Sequence, residues 1–325
     1  MSHNAPSSPL SIVHLDRATI GPSVALNKPK TPHNWTSYDK TDAADVVARL
    51  QGCDVAVLNK VSLGREELSH LPDLKMIALS ATGYDKIDIG ACHEKGVVVS
   101  NITDYAQQTV PEHTFALILA LRRSITAYWD DVRDGAWQAS GQFCFFNHPI
   151  KDLKDSTLGV IGSGSIGSEV IAIAKAFGMK VLIAGRKGQK DVTHGFTPFD
   201  EVIEKADIIT MHCPLNADTK DLIALPEFRK MAQKPLIINA SRGGLVHEHD
   251  VITALDEGLI AGAGFDVLTT EPPEDNHVIM QNLHRPNLII TPHIAWASSQ
   301  AMQVLWDQLV GHIDHFAKGT PRNQI

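Results

Sequence analysis

The sequence has few cysteines, and their placement excludes more than it offers. Only four occur in 325 residues, Cys53, Cys92, Cys144 and Cys213. None forms a C-x-x-C pair or sits near a histidine cluster at metal-ligand spacing, so neither a disulfide framework nor a metal site is expected, and buried, reduced thiols are. Long apolar runs are also missing: nothing approaches the length of a membrane span. The polar, proline-bearing start over residues 1 to about 9 lacks the basic and apolar regions of a signal peptide and reads as a poorly ordered tail. Cytoplasmic location and no membrane partner are therefore the expectations. Basic charge is outweighed, with 29 Lys and Arg against 37 Asp and Glu, a net charge of −8. Such a balance has no electrostatic footprint for nucleic acid. Internal repeats and low-complexity tracts are absent as well.

What is present centres on one stretch, Leu158 to Gly167, which reads LGVIGSGSIG. Leu158 to Ile161 has the character of a buried strand, the three glycines follow at G-x-G-x-x-G spacing, and Ser168 to Phe177 reads as a helix closed at Gly178. Met179 to Ala184 would be the next strand. This strand, turn and helix form the context that a dinucleotide-binding turn requires. Gly162 permits the tight turn, Gly164 lets the backbone approach a pyrophosphate, and Gly167 lets helix and strand pack closely. The helix N-terminus offers unpaired N–H groups to the anion, and Ser165, Ile166 and Gly167 of the turn count with Gly162 and Gly164 as cofactor-binding residues.

An NAD site usually carries Asp or Glu about 20 residues beyond the glycines, to bond the ribose 2′-hydroxyl. Here the strand ends in Gly185, Arg186 and Lys187. A neutral Gly185 leaves room for a 2′-phosphate, Arg186 offers a planar fork of donors, and Lys187 adds a second charge. NADP(H) is the preferred cofactor on this reading, with NAD(H) possible.

The length of the chain exceeds one comfortable core, and two domains are expected. In the first hundred residues, Ser11–Leu15, Val55–Leu58, Met76–Leu79 and Val97–Val99 read as strands. Helical segments at Asp45–Leu50, around Glu66 to Leu68 and at Ile87–Lys95 separate them. After the glycine turn the alternation resumes with strands at Asp207–Met211, Leu236–Asn239 and Ala261–Phe265. Alternating strands and helices mean parallel, doubly wound sheets, an α/β fold. Ligands in such sheets sit beyond the carboxyl ends of strands, which draws attention to Asn59 and Lys60 and to the loop Ala81 to Asp85. Thr109–Arg123 is a strong helix placed as a bridge between domains. Trp129–Asp155 reads as irregular, with an aromatic load that either packs on its own domain or reaches over a partner subunit. Gln300–Phe316 is an amphipathic helix.

Three polar residues lie just past strands in the second half: Arg242 in NASRGG, Glu271 in FDVLTTEPP and His293 in ITPHIAW. Together with the glycine turn they resemble the signatures of the D-isomer-specific 2-hydroxyacid dehydrogenases, over about Val55 to Ser298. The resemblance is greatest to the glycerate dehydrogenase and hydroxypyruvate (glyoxylate) reductase branch, through Leu58-Asn-Lys60, the helix VPEHTFAL from Val110, and His293-Ile-Ala-Trp-Ala-Ser298. The residue types suit reduction of a 2-keto acid. Arg242 can hold carboxylate and carbonyl, and His293 can deliver a proton near neutral pH. Glu271 can accept from the far ring nitrogen and fix the tautomer.

The resemblance implies further roles. Thr82 and Gly83 would bind the substrate carboxylate, Lys60 would approach the distal hydroxyl end, and Asp266 would hold the nicotinamide carboxamide. Pro214, Thr219 and Ala240 would line the cofactor groove. It implies a flavodoxin-like substrate domain over residues 1–103 plus 295–325, a Rossmann NAD(P)-binding domain over 104–294, and a homodimer joined through the Thr109–Arg123 helix and the aromatic stretch around Trp137. Gly185 departs from NAD-dependent members, which carry an acid there. Formate and phosphite dehydrogenases and a dinucleotide-sensing corepressor scaffold share this fold and are the competing readings. Formate dehydrogenases have Gln in place of Glu271, and the scaffolds have longer disordered tails.

Overall fold

The computed structural model describes residues 8–325. Residues 1–7 of the expected tail lie outside the described residues. The chain divides into two units, Met1–Ala106 with Ala297–Ile325, and Gln107–Trp296. Each division falls a few residues after the boundary expected from the sequence.

The first unit carries β1 (Leu10–His14), β2 (His33–Ser37), α1 (Val46–Leu50), β3 (Val55–Leu58), α2 (Arg65–Ser69), β4 (Met76–Leu79), α3 (Ile89–Lys95) and β5 (Val98–Ser100). Its five strands are all parallel in the order β2-β1-β3-β4-β5. This is the flavodoxin-like order, whose switch point lies between β1 and β3. Strands β3 and β4 are buried at every position, as the unbroken runs VAVL and MIAL require of a sheet covered on both faces. β2 was not legible in the sequence. Its residues HNWTS are half-buried or exposed, because it is an edge strand bonded only to β1. The last helix of the chain belongs to this unit, where Trp306 is fully buried against Trp35 and His14.

The second unit runs α4 (Thr109–Arg122), α5 (Ile125–Arg133), α6 (Ala136–Ser140), β6 (Thr157–Ile161), α7 (Ser165–Ala176), β7 (Lys180–Ile183), α8 (Phe199–Lys205), β8 (Ile208–Met211), α9 (Leu225–Phe228), β9 (Leu236–Asn239), α10 (Glu248–Asp256), β10 (Gly262–Phe265) and β11 (Leu288–Ile290). The terminal helix of the first unit is α11 (Ser299–Ala317). Six parallel strands lie in the order β11-β10-β9-β8-β6-β7. A parallel bridge of Ala184 to Thr197 adds a seventh rung beyond β7. Counting it, the order from that edge is 3-2-1-4-5-6-7, which contains the Rossmann arrangement 3-2-1-4-5-6 with its switch point between β6 and β8. Side chains of successive residues pack to opposite faces. Ile237 joins α8 and α10 in one core, while Leu236 and Ile238 join α4 and α7 in the other. Burying each such side chain contributes roughly 1.5–3 kcal/mol.

The stretch from Trp129 is not irregular throughout. It opens inside α5 and continues into α6, with Ser124 and Gly135 in the left-handed region at the two helix starts. In α5 the residues Ile125, Tyr128, Trp129 and Val132 fall at i, i+3, i+4 and i+7, a helical spacing that was overlooked because the stretch was taken to open at Trp129, inside the helix. Helix α7 also begins earlier than expected, at Ser165, directly after Gly164. Of the cysteines, Cys53 and Cys92 are buried as expected, whereas Cys144 and Cys213 are half-buried; all four are free. Among the described residues no helix is long and apolar enough to cross a membrane. Nor does any group of three His, Cys, Asp or Glu among them match a metal site.

Candidate active site

The glycine turn is built for close approach. Gly162 directly follows β6 at φ +96°, and a Cβ there would stand 2.7 Å from the Cys213 backbone nitrogen, two residues past β8. A Cβ at Gly167 would stand 2.1 Å from the Gly162 carbonyl oxygen, so helix α7 rests directly on the turn. At Gly164 a Cβ would meet open space within 4 Å. The open side therefore faces the first turn of α7, whose N–H groups at Ser165, Ile166 and Gly167 have no intrahelical acceptors. That arrangement fits a pyrophosphate at the switch point. Ala240, buried, and Pro214, exposed, follow β9 and β8.

Past β7, Arg186 is exposed and forms no ion pair among the described residues. Lys187 corrects the expectation made for it. Its Nζ lies 2.9 Å from Glu227 Oε1 and donates to the Leu222 carbonyl at 2.9 Å. The ammonium is thus engaged with a carboxylate whose side chain is only 6% exposed. Thr219 is also turned inward, its hydroxyl donating to the Pro214 carbonyl at 2.7 Å, which makes it a turn-former.

Arg242, Glu271 and His293 follow β9, β10 and β11, three consecutive strands of the sheet. Their loops are clamped to one another. Asn239, 2% exposed, donates from Nδ2 to the Arg242 carbonyl at 2.8 Å and accepts from the Ser241 N–H at 3.1 Å. Arg242 itself is half-buried and donates from Nη1 to the Ser241 carbonyl. The Glu271 carboxylate accepts from the Leu268 N–H through Oε1 at 3.0 Å, and its Oε2 lies 2.6 Å from His293 Nδ1. An ionised carboxylate can only accept, so Nδ1 carries the hydrogen and Nε2 is left for the reaction. His293 holds φ 56°. Left-handed backbone at a non-glycine residue is strain of the kind that surrounding contacts must enforce.

Those contacts come from Asp266, 1% exposed. Its carboxylate accepts from the Thr291 hydroxyl, from the Ile294 N–H at 2.9 Å and from the Ala295 N–H at 2.8 Å. The carboxylate expected to hold a nicotinamide carboxamide also organises the loop that carries His293. Sequence reasoning missed this role, and missed Asn239 and Thr291 altogether. The available signal was a polar residue closing each buried strand run, Asn239 after LII and Asp266 after GAGF.

In the first unit, Lys60, Thr82 and Gly83 follow β3 and β4. The Asp16 carboxylate, buried beyond β1, accepts from the backbone N–H of Asn59 at 2.9 Å and of Lys60 at 2.7 Å. Burial pushes the Asp16 carboxyl above its ordinary range against these hydrogen bonds. The Thr82 hydroxyl donates to the Ile102 carbonyl at 2.7 Å, and Asn101 Nδ2 donates to the Thr82 carbonyl at 2.8 Å.

A glycine cradle at the switch point and an acid-held imidazole on the same sheet define a dinucleotide-dependent oxidoreductase. The family described as D-isomer specific 2-hydroxyacid dehydrogenase, NAD binding domain, matches residues 115–295. The chain is 43% identical over 315 residues to a glycerate dehydrogenase of Methylorubrum extorquens, covering 97% of this chain and 98% of that one. It is 33% identical over 294 residues to a hydroxypyruvate reductase of Blautia hydrogenotrophica, covering 89% and 90%. Among solved structures, a D-lactate dehydrogenase of Aquifex aeolicus complexed with NAD and lactic acid is similar with a TM-score of 0.76 at 29% identity, covering 88% of this chain and 90% of that one. The chain belongs to the D-isomer specific 2-hydroxyacid dehydrogenases.

Proposed function

We propose that the protein reduces a small 2-keto acid, hydroxypyruvate or glyoxylate, to the corresponding 2-hydroxy acid, D-glycerate or glycolate. NADP(H) is preferred in this reading and NAD(H) is accepted. The single observation that carries the chemistry is the Glu271 Oε2 to His293 Nδ1 contact of 2.6 Å, with the other carboxylate oxygen fixed by the Leu268 N–H.

Arg242 pairs with the substrate carboxylate and polarises the carbonyl oxygen through a fork of charged donors. When bound, the dinucleotide supplies a hydride to C2 in reduction and takes one in oxidation. His293 delivers the proton from Nε2 to the carbonyl oxygen as the C2–H bond forms, and in the reverse direction Nε2 accepts the hydroxyl proton. Glu271 keeps Nδ1 protonated throughout, so only Nε2 changes state. Gly162, Gly164, Ser165, Ile166 and Gly167 would hold the pyrophosphate, and Arg186 the 2′-phosphate. Pro214 and Ala240 would line the groove. Lys60, Thr82 and Gly83 would receive the substrate's polar ends.

The reading includes a homodimer, supported by exposed aromatics at Trp129, Trp137, Phe143 and Phe146. It also includes a cytoplasmic location, which the four free thiols support. A panel of hydroxypyruvate, glyoxylate, formate and phosphite, assayed with both dinucleotides, tests the activity. Turnover of the first two with NADPH is expected. Turnover confined to formate or phosphite, or none at all, overturns the proposal.

A further inference from the structure

Helix α4 reaches the loop that carries His293 through two residues one turn apart, which places them on one helix face. Thr109 Oγ1 donates to the Ala295 carbonyl at 3.0 Å, and His113 Nε2 lies 2.9 Å from Thr291 Oγ1. The helix can approach because β10 has glycines where it passes: a Cβ at Gly264 would stand 3.0 Å from Leu121 Cδ1 and 3.3 Å from Leu117 Cβ. With Leu117 and Leu121 seated on β10, the first turns of α4 are left beside the ends of β10 and β11.

Hydrogen positions along this contact follow from the acceptors. Backbone N–H groups, which can only donate, engage both Asp266 oxygens, Ile294 on Oδ1 and Ala295 on Oδ2, and the Thr291 hydroxyl donates to Oδ1 beside them. The single hydroxyl hydrogen of Thr291 points to Asp266. Thr291 Oγ1 must then accept from His113, whose Nε2 carries the hydrogen. His113 Nε2 also lies 3.5 Å from Asp266 Oδ1. The result is a directed chain, His113 to Thr291 to Asp266, ending on the carboxylate that holds residues 294 and 295. Between Thr291 and those two residues sits His293 in its left-handed backbone, with its own carbonyl accepting from Trp296 Nε1 at 2.9 Å.

We propose that His113 is a positioning residue for His293: its Nε2–H orients the Thr291 hydroxyl toward Asp266 and so fixes the loop that presents the reacting imidazole. The role rests on the reading of His293 as proton donor and acceptor given above. His113 touches neither substrate nor cofactor in this role. It acts through Thr291.

The test is a double-mutant cycle of His113→Leu, Thr291→Val and both together, with His113→Gln as the conservative variant that retains an N–H donor. Each single change lowers kcat for hydroxypyruvate reduction by between about ten- and a hundredfold, the scale of a misplaced reacting group. KM for dinucleotide and keto acid changes little, the double variant falls no further than the worse single, and His113→Gln recovers most of the loss. Multiplying losses in the double variant, or an unchanged kcat in His113→Leu, overturns the proposal. Histidine-labelled NMR of the wild-type protein supplies a readout independent of turnover. His113 is expected to carry a proton at Nε2, and Thr291→Val is expected to shift the His293 ring signals. A bare Nε2 on His113, or His293 signals that do not move, also overturns it. If the wild-type protein turns over no 2-keto acid, the functional reading falls, and the ring spectra still decide whether His113 orients the loop. Should His113→Leu fail to fold, Thr291→Val and Thr291→Ser provide the same comparison at the next link.

Discussion

Gly243 lies backbone against backbone on Leu268: a Cβ at Gly243 would stand 2.0 Å from the Leu268 carbonyl oxygen. The contact joins the loop of Arg242 to the segment whose N–H anchors Glu271. Space rather than backbone conformation demands glycine here. Gly243→Ala must separate the two loops, at a cost of about 1–3 kcal/mol for the overpacking. Because both reacting side chains depend on that contact, kcat/KM is expected to fall by about a hundredfold, well beyond the change in thermal midpoint. Steady-state kinetics beside a melting curve check this, and an active Gly243→Ala protein would place the two loops apart.

His293 and Glu271 give a prediction in the direction of pH. Reduction consumes the proton on Nε2 and is favoured by lower pH, whereas oxidation needs Nε2 bare and is favoured by higher pH. His293→Asn is expected to lower kcat by about 10²–10⁴ in both directions. Glu271→Gln still accepts from Nδ1 but loses the negative charge facing the imidazolium, and is expected to lower kcat in both directions by less than His293→Asn does. Parallel profiles for the two directions in the wild-type protein would remove His293 from the role.

Much of this was legible in advance, for physical reasons that differ by element. Buried strands such as β3, β8 and β9 are short runs of branched apolar residues and announce themselves. The glycine turn did so too, because a close approach excludes every other side chain. β2 was invisible because an edge strand need not alternate. The chain from His113 through Thr291 to Asp266 was invisible because its members are far apart in sequence, His113 being separated from Thr291 by 178 positions. Asp266 was noticed, but its hold on the His293 loop was not, since sequence cannot show which backbone N–H groups a carboxylate will gather. Lys187 was misread: its partner Glu227 belongs to α9, an element too short to detect.

That last pair separates two neighbouring cations. Arg186→Ala is expected to raise KM for NADPH far more than for NADH, since the exposed guanidinium is the group available to a 2′-phosphate. Lys187→Ala leaves Glu227 buried with one donor fewer, so it lowers stability by about 1 kcal/mol and leaves the NADPH to NADH ratio nearly unchanged. Kinetics with both cofactors, together with chemical denaturation, resolve the two effects. A Lys187 variant that selectively loses NADPH would return that residue to the phosphate site.

Phe143 and Phe146 are 88% and 83% exposed, and Trp129 is 66% exposed. Such a cluster next to α5 and α6 is expected to be covered by a second copy of the chain. Light scattering of the wild-type protein should give a dimer, and Phe143→Glu with Phe146→Glu should shift it toward monomer. A wild-type monomer at working concentration overturns the assembly.

Buried His14 makes the first unit sensitive to acid. It is fully buried against Trp306 and Trp35, and neither ring nitrogen has a hydrogen-bond partner among the described residues. Asp16 Oδ1 stands 3.8 Å from Nε2, too far for a hydrogen bond, and that carboxylate is already engaged by backbone N–H groups. Burial first, then the charges of Lys28 and Arg17, push the His14 imidazole down to about 4. The unfolded chain takes up a proton on this ring near its ordinary value of about 6.5 while the folded chain refuses it. Stability is therefore undiminished above that value, declines as pH falls toward 4, and levels off below it. The full descent corresponds to roughly 3 kcal/mol. His14→Phe keeps an aromatic ring against Trp306 and removes the proton, so its unfolding free energy should fall by that much less between pH 7 and pH 4, followed by the fluorescence of Trp35 and Trp306. Equal acid sensitivity in the two proteins would mean that His14 is protonated in the folded state and has a partner that holds its charge.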